Sequence, residues 1–139
     1  MIPRDRVAAA LDLPSDTDAL PPGDLPVDRF AERFLGALDR PEGDETDVWT
    51  VDLFDHLVIA EPELACAALF ACLDLAPERA EELGAGPLDD LVRRSGTEAI
   101  GCLEAAAPGR PELRRAMRQV SAEEIEHPFL KARILAIRD

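Results

Sequence analysis

The stretch Glu61-Pro-Glu-Leu-Ala-Cys-Ala-Ala-Leu-Phe-Ala-Cys-Leu-Asp-Leu75 decides the fold of this chain. Proline near its start suits the first turn of a helix, where the backbone N–H groups lack helical partners in any case. From Leu64 to Leu75 the predicted helix is apolar on nearly every face, which is typical of a helix buried among others. The apolar run is too short to cross a bilayer. The stretch therefore predicts the central helix of a small, soluble helical domain.

Helical spacing of apolar residues recurs on the N-terminal side of this stretch. We predict helices over residues 3–12, 27–39 and 47–60, separated by a proline-rich loop or extended arm at 13–26 and a break at 40–46. One broad apolar arc of the third helix holds Trp49, Val51, Leu53, Phe54, Leu57 and Val58. The period-two alternation that marks β-strands is absent.

On the C-terminal side, proline and glycine punctuate a series of short helices. A helix that begins at Pro77 is predicted to end at Leu83, with Gly84 as a left-handed cap and Gly86-Pro87 starting the next helix. We expect that next helix to end at Ser95-Gly96. Regularly spaced apolar residues mark the later helices, namely Ile100, Leu103 and Ala107, then Leu113, Met117 and Val120, and finally Leu130, Ile134 and Ile137. The segment 121–124 has the pattern of a capping box.

The order of these elements predicts an all-α fold. Short helices joined by tight turns stack in antiparallel fashion, so we expect a compact stack that is HEAT-like or an irregular helical bundle. At 139 residues the chain has the length of one domain. Within it we distinguish residues 1–46, N-terminal helices and a proline-rich arm packed on the main body, from residues 47–139, the helical domain that carries the Gly86–Leu91 motif.

The charge of the chain restricts its partners. Acidic residues number 29 against 15 bases, for a formal net charge of −14, and the acidic excess is concentrated in residues 1–60. A field of this sign repels nucleic-acid phosphates and anionic lipid heads, and it attracts basic proteins. We therefore expect a basic protein partner, and neither nucleic acid nor membrane as a ligand.

Three cysteines, Cys66, Cys72 and Cys102, are spaced without a Cys-x-x-Cys pair. An odd number of thiols and the lack of a signal peptide point to reduced thiols and a cytoplasmic location. The sequence places no histidine beside any of them, so we interpret all three as small residues of the core.

The segment Leu83-Gly-Ala-Gly-Pro-Leu-Asp-Asp-Leu-Val-Arg-Arg-Ser-Gly96 resembles a motif of uncharacterised bacterial domains, the DUF6869-type domains of unknown function. Their motif has a leucine, an Ala/Gly-rich turn, Gly-Pro-Leu, two acidic residues and a leucine pair, followed by a basic residue and a glycine. The resemblance covers roughly residues 47–139. This chain departs from the pattern at Ser95, where a histidine is common, and in lacking a tryptophan near Val120. The resemblance implies a fold-level grouping among bacterial proteins and supplies no activity.

Asp89 and Asp90 are the most distinctive residues of that motif. If Pro87 is the first helical residue, both carboxylates lie in the first turns, where the helix dipole stabilises them by about 0.3–1 kcal/mol. They also precede Arg93 and Arg94 by four residues, the favourable order of acid and base on a helix. A structural role explains them fully. The functional alternative is a paired-carboxylate receptor for an arginine or lysine of a partner.

Asp52, Asp55 and His56 share the polar stripe of the helix over 47–60 and are the best candidates for chemistry. Asp52 and His56 lie one turn apart, so they could share a metal ion or act as a base and the group that orients it. Two side chains do not complete a catalytic metal site, and the other histidine, His127, is distant in the sequence. We therefore predict no metal and no cofactor, and interpret the stripe as a solvated face that can also meet a partner.

Arg110, Arg114, Arg115 and Arg118 form a basic patch on a late predicted helix. In so acidic a chain we expect these arginines to pair with neighbouring acids. A site for phosphate or for an acidic partner is the alternative.

These observations favour a non-enzymatic, acidic protein-interaction domain. A concrete form is an immunity or antitoxin-like protein that blocks a basic toxin, or a regulatory adaptor. The alternative from another class is a small metal-dependent hydrolase that uses Asp52, Asp55 and His56. A third is a scaffold unit that self-associates through an exposed apolar patch.

Overall fold

In a computed structural model, which describes residues 1–138, the chain folds as a compact all-α helical bundle. Its helices are α1 (Arg4–Ala10), α2 (Val27–Leu38), α3 (Trp49–Ala60), α4 (Pro62–Leu75), α5 (Ala80–Leu83), α6 (Asp89–Ala106), α7 (Pro111–Met117) and α8 (Pro128–Arg138). No helix among the described residues combines the length and the hydropathy that crossing a membrane requires. The predicted fold class is confirmed.

α4 is the central helix, as its sequence predicts. It packs most extensively against α2 and α6, and it also contacts α3, α5 and α7. Small buried side chains such as Ala65, Cys66 and Ala68 let these neighbours approach closely. One hydrophobic cluster extends from Ile2 to Ile137 and includes residues of every helix. The bundle therefore has a single core.

α3 lies where the apolar spacing predicts it, but one side chain of the predicted apolar arc is exposed. Leu53 and Leu57 are fully buried, but Val51, which the helical wheel places on the same arc, is 40% exposed. Val51 stands at the edge of the buried arc, and the adjacent Thr50 is buried in its place. The Thr50 hydroxyl tolerates burial because it donates a 2.7 Å hydrogen bond to the carbonyl of Asp47.

The break predicted at Gly84 is wrong, because the backbone stays helical from α5 into α6. Gly84 has φ −67° and ψ −41°, which are not the angles of a left-handed cap. Residues Gly84–Leu88 form a π-helical turn, in which the N–H of Asp89 bonds to the carbonyl of Gly84. Pro87 has no N–H, and in an α-helix its ring would clash with the carbonyl one turn earlier. The wider turn accommodates both effects, so Gly86-Pro87 widens the helix here instead of starting a new one.

Gly84 is needed for the close packing of two helices and not for a turn of the chain. A Cβ atom at this position would lie 2.0 Å from the carbonyl oxygen of Ala116 in α7. The backbones of the α5–α6 junction and α7 are therefore in direct contact, which only glycine permits.

The helix end predicted at Ser95-Gly96 is a kink inside α6. Ser95 has non-helical angles (φ −143°, ψ 33°), yet the helix continues to Ala106. The Ser95 hydroxyl donates a 2.6 Å hydrogen bond to the carbonyl of Val58 in α3. Within a helix that carbonyl would accept the N–H of Pro62, which proline lacks. Ser95 thus supplies, from a distant part of the chain, the hydrogen-bond donor that the Val58 carbonyl lacks at the end of α3.

The capping box predicted at residues 121–124 is also wrong. A 3-10 turn forms at Ala122–Glu124, and the Ser121 side chain makes no capping hydrogen bond. The backbone N–H of Ser121 donates instead to Asp89 Oδ1 at 2.9 Å. The apolar residues that mark α6, α7 and α8 in the sequence are confirmed as buried, namely Ile100, Leu103, Ala107, Leu113, Met117, Val120, Leu130, Ile134 and Ile137.

Candidate functional site

The outer face of α3 carries two of the acids that the sequence singles out. We define this face by five exposed residues, Val48, Val51, Asp52, Asp55 and Ile59. Val51 is 40% exposed and Ile59 is 59% exposed. At about 3.6 residues per turn the five fall within roughly 100° of arc. Two carboxylates therefore lie among aliphatic side chains on one strip of surface.

His56 does not belong to this face. It is half-buried, and its Nε2 atom is buried without a hydrogen-bond partner among the described residues. No hydrogen bond joins His56 to Asp52 within residues 1–138, so the pairing of a base with its orienting group is not formed. The described part of the chain also contains no group of three His, Cys, Asp or Glu side chains placed to hold a metal ion.

Asp89 and Asp90 have different surroundings. Asp89 is buried, accepts the N–H of Ser121 through Oδ1, and has Oδ2 3.1 Å from Nε of Arg93. Asp90 is half-buried and binds Arg94 at 3.0 Å. Both acid–base pairs predicted along the helix are formed. The carboxylate of Asp89 is engaged within the fold, whereas that of Asp90 lies at the surface.

Arg94 links this part of α6 to the outer face of α3. Its Nη1 atom binds both Asp55 of α3 and Asp90 of α6. The hydrogen bonds that Arg94 donates to these carboxylates, first to Asp55 and then to Asp90, raise the pKa of its guanidinium. The acids of the two helices therefore form one continuous polar surface with a cation at its centre.

The arginines of the basic patch make contacts within the fold. Arg110 binds Asp74 of α4, and its guanidinium lies 5.0 Å from the centre of the Phe70 ring. Arg115 lies 3.6 Å from Glu81 of α5. The predicted pairing with neighbouring acids is confirmed for these two.

The other two arginines of the patch donate to backbone carbonyls. Nε of Arg114 bonds to the carbonyl of Ala107 at 3.4 Å, and Nε of Arg118 bonds to that of Arg138 at 3.2 Å. The patch thus ties α7 to α4, α5, the end of α6 and α8. Its proposed alternative role as a phosphate site gains no support from these contacts.

Two of the three cysteines are buried and unreactive. Cys66 and Cys72 are buried, as predicted, whereas Cys102 is only half-buried. Burial raises the pKa of the Cys66 and Cys72 thiols to about 12, and the nearby Cys102 adds to the shift at Cys66. Both therefore stay protonated, and unreactive, at neutral pH.

A cleft of about 610 Å³ at the N-terminal end of the bundle is a feature that no sequence motif marks. Its lining comes from α1, α2, the start of α3 and the arm at residues 13–26. Val7, Leu20 and Trp49 are among the apolar side chains that line it. Periodicity cannot reveal such a site, because an irregular loop forms one wall.

Arg4 holds that arm against the bundle. Its guanidinium donates hydrogen bonds to four carbonyls of the arm, those of Ser15, Thr17, Leu20 and Pro21. Ile2 and Leu25 exchange two backbone hydrogen bonds of 2.7 and 2.8 Å. The arm is therefore an ordered wall of the cleft. The sequence does not reveal this arrangement, because both Arg4 and Arg6 precede the proline-rich loop and only Arg4 binds it.

Together these features define a compact all-α bundle with a mixed acidic and aliphatic face on α3 and a cleft beneath its N-terminal arm. Comparisons with protein-family models, with curated proteins and with solved structures gave no match. The resemblance of residues 83–96 to the DUF6869-type domains stays a prediction.

Proposed function

We propose that this chain is a non-enzymatic protein-interaction domain that binds a basic segment of a partner protein through the outer face of α3. The observation that carries the proposal is the exposure of Val51 and Ile59 beside Asp52 and Asp55. Covering such aliphatic side chains is favourable by about 25 cal/mol per Å² of apolar surface removed from water. Asp55 is already bound to Arg94, but Asp52 has no ion-pair partner within residues 1–138. Asp52 therefore favours a partner that brings positive charge to the same strip.

The charge of the whole molecule supports the same kind of partner. Because 29 acids face 15 bases, ion pairs within the fold leave a large negative excess. That field speeds the encounter with a positively charged surface. A basic amphipathic helix fits the face well, with its apolar anchors on Val51 and Ile59 and an arginine or lysine beside Asp52. An immunity or antitoxin-like protein, or a regulatory adaptor, is the concrete form we propose, acting in a bacterial cytoplasm.

Affinity capture with matched variants tests this proposal. The wild-type protein, the double variant Val51→Ser/Ile59→Ser and the control Leu75→Ser serve as baits in a lysate of the source cell. Leu75 lies at the end of α4 and is 47% exposed, so its substitution removes an exposed aliphatic side chain outside the proposed face. We expect wild type and control to retain one basic protein that the double variant loses.

The captured protein is then purified and titrated against the three baits by calorimetry. Loss of two aliphatic anchors should weaken Kd by about tenfold or more. Equal affinity for all three baits would contradict the assignment to α3, and failure to retain any basic protein would contradict the proposed function itself.

The metal-dependent hydrolase has less support as an alternative. Asp55 is bound to Arg94, and the Nε2 atom of His56 is buried, so neither group is free to take a ligand from solvent. Metal analysis of wild-type and His56→Ala protein tests this alternative. Stoichiometric metal that disappears with the substitution would favour the hydrolase over the interaction domain.

A further inference from the structure

The cleft beneath the N-terminal arm is not used by the interaction proposed for α3. We propose that this cleft binds a small amphipathic carboxylate, with its alkyl chain among Leu11, Leu20 and Trp49 and its carboxylate on Arg29 and Arg33. The volume of about 610 Å³ falls within the range of roughly 300–1,000 Å³ that is common for small-molecule sites. The lining is mainly apolar with a few charged groups, which is the usual composition of such sites.

Two arginines of α2 bring positive charge to the cleft. Arg29 and Arg33 are one helical turn apart and both line the cleft. Arg29 has no hydrogen-bond or ion-pair partner within residues 1–138, and Nη1 of Arg33 is 3.8 Å from Asp47, a weak pair. Arg4 is not available to a ligand, since its guanidinium is bonded to the arm.

The other charges of the cleft select a ligand with one negative charge. Asp24 and Asp47 also line it, so they offset part of the positive charge of Arg29 and Arg33. A carboxylate carries a single charge and matches the planar guanidinium in a bidentate pair. A phosphate monoester carries about −1.5 to −2 charges at neutral pH and would be repelled more strongly by these acids. The balance of charges in the cleft therefore favours a carboxylate over a phosphate.

Trp49 reports on this cleft directly, because the chain has one tryptophan and no tyrosine. Decanoate, kept below the concentration at which it forms micelles, is titrated into the purified chain while Trp49 emission and the heat of binding are recorded. We expect a saturable shift of the emission to shorter wavelength as the alkyl chain displaces water from the indole. The far-ultraviolet circular dichroism should stay unchanged, which separates binding from unfolding.

Two analogues separate the contributions of chain and headgroup. Decan-1-ol has the chain without the charge, and decyl phosphate has a larger charge. Both should bind about tenfold more weakly than decanoate or worse. The alcohol loses the ion pair with the arginines, and the phosphate is repelled more strongly by Asp24 and Asp47. Absence of any heat or emission change with decanoate would overturn the proposal. Equal or tighter binding of either analogue would overturn the assignment of a carboxylate.

Variants on α2 locate the headgroup. The double variant Arg29→Gln/Arg33→Gln should weaken decanoate binding by about tenfold, whereas Arg40→Gln should leave it unchanged. Arg40 is exposed and does not line the cleft, so it controls for the loss of a positive charge from the same region. All these side chains are at the surface, and folding is checked by circular dichroism. Equal binding by wild type and the double variant would overturn the role of the two arginines.

Discussion

At the scale of single residues, Gly84 is the position where one added carbon atom tests the packing most sharply. A Cβ there would lie 2.0 Å from the carbonyl oxygen and 2.7 Å from the Cα of Ala116. Both are backbone atoms, which cannot rotate away as the end of a side chain can. We expect Gly84→Ala to lower the free energy of unfolding by about 1–3 kcal/mol or more, as measured by urea denaturation.

Gly86→Ala is the matched control, because Gly86 lies in the same π-helical turn. No atom lies within 4 Å of a Cβ built at this position. Alanine is a better helix former than glycine by about 1 kcal/mol. We therefore expect Gly86→Ala to leave stability unchanged or to raise it. Equal destabilisation by the two substitutions would contradict the direct contact of Gly84 with α7.

Asp89 and Asp90 are adjacent in sequence but unequal in burial, so they form a second matched pair. Replacing Asp89 by Ala leaves the N–H of Ser121 without its acceptor and removes the pair with Arg93. We expect a loss of about 1–3 kcal/mol of unfolding free energy. Replacing Asp90 by Ala removes a surface ion pair, worth about 0–1 kcal/mol. Urea denaturation of both variants measures the difference, and similar losses would contradict the structural role of Asp89.

The buried thiols predict a loss of stability in alkali. Folding raises the pKa of Cys66 and Cys72 from 9.0 to about 12, so their contribution is fully present below pH 9 and is lost as pH rises toward 12. The slope is about 1.4 kcal/mol per pH unit for each thiol. Urea denaturation at a series of pH values should show this fall in wild type and a flatter profile in Cys66→Ala/Cys72→Ala. Identical profiles would contradict the burial of the two thiols.

At the scale of elements, local sequence rules predict where helices form better than how they join. Pro62 and Pro111 start α4 and α7 as expected, because the first helical turn does not need their missing N–H groups. The predictions of a helix end at Gly84 and at Ser95 are wrong, because the roles of these residues depend on α7 and α3, which lie elsewhere in the sequence. A pattern of glycine, proline or serine cannot distinguish a chain break from a widened or kinked helix that another helix supports.

Ser95 tests that dependence between elements. Its hydroxyl is the donor for the Val58 carbonyl that Pro62 leaves unpaired. We expect Ser95→Ala to cost about 1–3 kcal/mol of unfolding free energy, since a buried carbonyl loses its partner. Thr97→Ala, at an exposed position on the same helix, should change stability by less than about 0.5 kcal/mol. Urea denaturation measures both, and an equal effect would show that the Ser95 hydrogen bond does not stabilise the kink.

At the scale of the whole molecule, composition predicts the all-α class of the fold and the negative electrostatic field around it. It does not predict where the candidate binding surfaces lie. The apolar residues of α4 suffice to predict a central helix, and the net charge of −14 follows from counting. The outer face of α3 could be predicted only in part, because Asp52 and Asp55 are visible in the sequence but the exposure of Val51 is not. The cleft could not be predicted, since it depends on hydrogen bonds from Arg4 to an irregular arm.

The measurement that tests the outer face of α3 most directly is calorimetric titration of the captured basic partner against two charge reversals, Asp52→Lys and Asp28→Lys. Both positions are exposed and both substitutions change the net charge equally, but only Asp52 lies on the proposed face. We predict that Asp52→Lys weakens Kd by about tenfold or more, that Asp28→Lys has a much smaller effect, and that added salt weakens wild-type binding. Equal effects of the two reversals, or none, would contradict binding through α3.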